Sequence, residues 1–139
     1  MKKMSPLKAQ SAEALKKARE HLVYSFRKVQ KISLSRELTE EELETFESFS
    51  SRFARFSDMI ISKHLRRMAL EKDPAFRGSV IDLLNQAEKF GWIESAETWK
   101  RIRQLRNVAA HEYEAEDYKK LYQELVTLTP SLLDVSFDG

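Results

Sequence analysis

The stretch "RQLRNVAAHEYEAE", Arg103 to Glu116, concentrates groups that could do chemistry on a phosphate. Arg106 offers a permanently charged planar donor, Asn107 follows with amide donors, and His111 is the side chain whose ordinary pKa lies near neutrality. Cutting RNA through its own 2′-OH needs a base for that hydroxyl, an acid for the leaving 5′-oxygen, and positive charge for the crowded phosphate. Imidazoles can share the first two roles and a guanidinium can fill the third by bidentate donation to the non-bridging oxygens. Each role is worth about two to four orders of magnitude in rate. Asn107 is placed to orient the phosphate or the ribose, and no step requires a metal.

Arg106 is the unusual residue. On an ideal helix Trp99, Ile102, Leu105, Arg106, Ala109, Ala110 and Tyr113 fall within roughly 140° of one another, with Arg106 near the centre of the arc. An unpaired charge in an apolar interior costs several kcal/mol, so Arg106 must face a carboxylate, a water-filled cleft or a bound anion. The plain reading is an ion pair with one of the many glutamates. In a regular helix His111 projects about 140° away from Arg106, so one straight helix does not join them. Either the helix distorts or ends between Ala109 and Tyr113, or the two groups meet through a second copy of the chain, where a two-fold axis would gather two Arg106 and two His111 around one groove.

The elements that must hold these residues are helical. Leu15, Ala18, Leu22, Phe26 and Val29 mark a helix over about 5–32. Thr39 with Glu42 forms a capping-box pattern that starts a second helix at Glu40. Phe46, Phe49, Phe53, Phe56 and Ile60 give it a one-sided aromatic stripe, suited to a core or a dimer seam more than to base stacking, and it ends before Pro74. A third helix spans about Ser79 to Phe90, closed by Gly91. Ser95 opens a fourth. The fifth, "EAEDYKKLYQELVTL", presents Tyr118, Leu121, Tyr122, Leu125 and Leu128 inward and is limited by Pro130, after which the tail is expected to extend briefly and then fray. The acidic run Glu112, Glu114, Glu116 and Asp117 either opens this helix or contacts a partner.

The expected fold is all-α: an up-and-down bundle of about five helices in one domain over residues 1–139. Three glycines, three prolines and 33% charged residues favour long helices over a turn-rich β fold. With 24 Lys+Arg against 22 Asp+Glu the net charge is only +2, so any nucleic-acid surface must come from local segregation. Lys100, Arg101 and Arg103 before Arg106 are a candidate RNA-binding rim, Arg103 foremost, and Arg52, Arg55, Lys63, Arg66 and Arg67 add basic residues on the second helix. A solvated helix face is the competing explanation.

The absence of cysteine excludes disulfides, zinc-thiolate sites and thiol nucleophiles and fits a reducing compartment. "MKKMSPLK" is followed by no apolar run, and no segment nears the length of about 18 apolar residues needed to span a bilayer. A soluble, cytoplasmic protein is expected. His64 and His111 are the plausible metal ligands, and they sit in different helices with no His-x3-His or clustered Asp beside them, so no metal site is expected. His64 reads as a hydrogen-bonded interface residue, with an auxiliary catalytic role as the alternative.

The string Arg106-Asn107-Val108-Ala109-Ala110-His111-Glu112-Tyr113 is an R-x4-H-x-Y pattern with Asn directly after the Arg. Late in a small all-α chain, it resembles the HEPN superfamily and, within it, the HepT-like toxins of toxin–antitoxin pairs. The resemblance implies a homodimeric, metal-independent endoribonuclease whose cleft lies between protomers and is lined by Arg106 and His111 of both copies. It also implies a nucleotidyltransferase-fold antitoxin that neutralises the toxin by attaching AMP to the motif tyrosine, here Tyr113. Read from the residues alone, Tyr113 could instead pack on the stripe. Two other functions compete. One is a non-enzymatic accessory subunit that binds a nucleotidyltransferase or its nucleotide. The other is an unrelated helical interaction module in which Arg106 is only an ion pair.

Overall fold

The computed structural model describes residues 6–109 and 118–137, with side chains from Ser11 onward. Among them there is no strand. The helices are α1 (Pro6–Val29), α2 (Glu40–Met59), a π-helical segment (Ile60–Leu65), α3 (Arg66–Lys72), α4 (Val80–Lys89), α5 (Ala96–Ala109) and α6 (Tyr118–Leu133). Because α2 runs through the π segment into α3, these are the five helices expected.

The helix starts follow from side-chain caps. Thr39 accepts from the Glu42 amide and the Glu42 carboxylate accepts from the Thr39 amide, the reciprocal capping box that opens α2. Ser79 and Asp82 repeat it for α4. Gly91, at φ +75°, closes α4: the Gly91 amide donates to the Glu88 carbonyl and the Trp92 amide to the Ala87 carbonyl, a Schellman arrangement. Ser95 accepts from the Thr98 amide, and Glu88 reaches across the turn to accept from the Ala96 amide, so α5 is aimed by α4 as well as by its own cap.

Helix α2 is the centre of the molecule, packing on α1, α5 and α6. Phe46, Phe49, Phe53, Phe56 and Ile60 are fully buried, so the stripe is core and not a base-stacking platform. Phe49 stacks on Phe26 of α1, and Phe46 on Tyr122 of α6 at 4.8 Å between centroids. Arg52 donates to the Ser25 hydroxyl and the His21 carbonyl, which sets α1 antiparallel to α2. The inner face of α5 contributes Trp99, Ile102 and Leu105.

Three features depart from the sequence reading. The second helix is not regular throughout. At Ile60–Leu65 its turn widens, so that Ile60, Ile61, His64 and Leu65 are all buried before Ala69 resumes the apolar face. Pro130 does not limit α6, which runs on to Leu133. A proline inside a helix costs about 3 kcal/mol. Offsetting it, Leu132 is fully buried beyond the proline, the Thr129 hydroxyl donates to the Leu125 carbonyl, and Arg19 donates to the carbonyl of Leu133.

Nor does the tail fray over its described part. Val135 and Phe137 are buried, and the Phe137 ring lies edge-on to Phe56 and His64. His64, expected as a hydrogen-bonded interface residue, is buried within its own chain, with its Nδ1 3.4 Å from Nη2 of Arg67. No described helix is long and apolar enough to cross a membrane.

Candidate functional site

Helix α2 has a second face. Glu47, Ser50, Ser51, Ala54, Arg55 and Asp58 recur at steps of three and one, roughly 150° round the helix from the aromatic stripe. Opposite them α5 presents Arg106 and Ala109. With Tyr122 of α6 these residues line an open cleft of about 520 Å³. The serines and alanines keep it open, since larger side chains at Ser50, Ser51, Ala54 and Ala109 would fill the gap between α2 and α5.

Arg106 lies across this cleft. Its Nε donates to both oxygens of Asp58 at 2.9 Å, and its Nη2 approaches Oδ2 at 2.8 Å. The pair spans 48 residues and joins the last turn of α2 to the last turn of α5. It is not sealed in the core: the side chains are 31% and 47% exposed. The hydrogen bond that Arg106 donates to Asp58 raises the Arg106 pKa above its usual value, against a smaller opposing effect of burial. Arg106 therefore stays a cation at any working pH. Of the environments open to it from sequence, the structure gives two at once, a carboxylate partner and a solvent-open cleft.

The other site residues separate. Asn107 and Arg103 are exposed on α5, and Arg103 has no ion pair or hydrogen bond among the described residues. Lys100 pairs with Glu97 at 3.1 Å. Arg101 makes a two-pronged pair with Glu124 of α6, through Nε at 2.7 Å and through Nη2. Two of the three expected rim residues are thus tied to acids, and Arg103 is exposed. Arg55, one turn before Asp58, adds an exposed cation to the cleft itself. Among the basic residues of the second helix, Arg66 lies over the Phe76 ring and donates to the Gly78 carbonyl, while Arg67 approaches Glu71, so both have structural work. His111 and Tyr113, with Ala110 and the acidic run Glu112 to Asp117, lie outside the described residues. No three His, Asp or Glu side chains among the described residues are grouped to hold a metal ion.

Asp58 was missed from sequence. The signal was present: it is the one acidic residue between Glu47 and Glu71, in a run with Arg52, Arg55, Lys63, Arg66 and Arg67. A single carboxylate among five cations is a natural ion-pair partner, but nothing local says which distant cation it meets.

Among the described residues the chain is all-helical, and the arginine of its R-x4-H-x-Y motif lies across a solvent-open cleft. Residues 12–136 match the model of the ribonuclease HepT-like family, and the chain belongs to that family. Ribonuclease activity is thereby implied at the level of the family. Comparison with curated proteins and with solved structures gave no significant match.

Proposed function

We propose that this chain is a metal-independent endoribonuclease toxin, acting as a homodimer in which Arg106 and His111 of two protomers form a composite site. The supporting observation is the placement of Arg106: the motif arginine lies across an open cleft in a chain whose residues 12–136 match a ribonuclease family. In the reaction an imidazole takes the proton of the 2′-OH and that oxygen attacks the adjacent phosphorus. The bond to the 5′-oxygen breaks, and an imidazolium returns a proton to the leaving oxygen. The products are a 2′,3′-cyclic phosphate and a free 5′-OH. Arg106 stabilises the charge that accumulates on the non-bridging oxygens, Asn107 orients the sugar-phosphate, and Arg103 with Arg55 contacts flanking phosphates. A nucleotidyltransferase-fold antitoxin silences the toxin by attaching AMP to Tyr113.

The competing reading makes Arg106 an ion pair that serves the fold alone. Its partial exposure weighs against that, because solvent screening leaves such pairs worth only about 0–1 kcal/mol.

The deciding experiment incubates purified wild-type and His111→Ala protein with total RNA in EDTA and maps the new ends. Discrete cuts ending in 2′,3′-cyclic phosphate, lost in the variant, are the expected outcome. A folded, unmodified dimer that leaves RNA intact refutes the toxin assignment.

A further inference from the structure

We propose that Asp58 is a positioning residue of this site, holding Arg106 by one edge of its guanidinium so that another edge meets the RNA phosphate. The proposal rests on the ribonuclease reading above and extends it to a residue outside the motif. A guanidinium is a rigid plane with five N–H donors. Asp58 engages the Nε side, with Nε 2.9 Å from both carboxylate oxygens and Nη2 2.8 Å from one of them. A phosphate met end-on uses Nη1 and Nη2 and does not need Nε. The observed pairing is therefore compatible with phosphate binding and need not be displaced by it.

Local structure supports the assignment. Asp58 stands where α2 passes into the π segment, and the Ser62 hydroxyl donates to its backbone carbonyl at 2.6 Å, pinning the turn that carries it. Ala54, one turn before it, and Ser51, two turns before it on the same face, are too short to crowd the carboxylate as it reaches α5. Without that partner the long Arg106 side chain would sample many rotamers, and their loss would fall on the chemical step. The negative charge also tempers the ground-state attraction of Arg106 for phosphate. Asp58 is therefore expected to act on turnover more than on affinity.

The test compares wild type, Asp58→Asn, Asp58→Glu, Arg106→Ala and the Asp58→Asn/Arg106→Ala double variant. Thermal melting, kcat and KM for cleavage, and binding of a non-cleavable 2′-O-methyl RNA oligomer are measured for each. The expected result is that Asp58→Asn melts near wild type and loses kcat on the order of tenfold or more, while KM and oligomer binding change by less than about threefold. Asp58→Glu, which keeps the charge, should regain part of the rate. In the Arg106→Ala background the same substitution should cost nothing further, because a residue acting through Arg106 has no effect once Arg106 is gone.

Wild-type-like turnover in Asp58→Asn, or faster turnover with tighter oligomer binding, overturns the proposal and makes Asp58 irrelevant or a blocking group. A loss that adds to that of Arg106→Ala also overturns it. Wild-type protein that neither cuts RNA nor binds the oligomer removes the ribonuclease reading, and this proposal with it. Wild-type protein that cuts beside an unimpaired Asp58→Asn removes only the proposal.

Discussion

At the scale of the residue, the role proposed for Arg106 separates stability from chemistry. Its pair with Asp58 is open to solvent, so Arg106→Ala is expected to change unfolding free energy by no more than about 1 kcal/mol. The same substitution should lower cleavage by about two orders of magnitude or more, the usual cost of removing a donor to transition-state charge. Urea unfolding beside end-labelled RNA cleavage reads both, and a large stability loss with normal cleavage would reverse the interpretation. Arg106 was legible in the sequence because a charge in an apolar stripe has to be explained. Asp58 was not: periodicity describes neighbours on one helix, and this contact crosses 48 residues. Lys100 and Arg101 read as a rim because sequence shows the cations of one face, while their acids, Glu97 and Glu124, were not paired to them in advance.

At the scale of the element, what could be read was what local chemistry decides. The capping box at Thr39 and Glu42 and the glycine stop at Gly91 were readable because each involves residues within one turn. The path through Pro130 and the widened turn at Ile60–Leu65 were not, because burial in the assembled bundle overrides local preference there. The cap of α2 carries a pH signature. The Glu42 carboxyl is lowered to about 2, first by the hydrogen bond from Arg36 and then by the Thr39 amide. A carboxyl whose pKa is depressed by folding stabilises the fold fully above its ordinary value of 4.5, and that contribution is lost as pH falls to about 2. Glu42→Gln should therefore be less stable than wild type at neutral pH, and the gap should close between those two values. Unfolding followed across that range checks it, and a gap that persists in acid would mean that the charge is not what matters.

At the scale of the molecule, the aromatic core ties the C-terminal end of the described chain to its centre. Phe137 packs edge-on to Phe56 and His64, and it is 8% exposed. Phe137→Ala is expected to cost about 3 kcal/mol, toward the lower end for a large aromatic because the site is near the surface. A denaturant midpoint unchanged from wild type would show that this segment contributes nothing to the fold.

The cleft, by contrast, is assembled from parts far apart in the chain, and that has a consequence during synthesis. At about 5–20 residues per second, Asp58 leaves the ribosome roughly 2–10 s before Arg106. The α1–α2 hairpin can pair in that interval, but no partial product lacking α5 carries both walls of the cleft. Under the proposed function, a nascent chain therefore cannot cut RNA until translation has passed the motif.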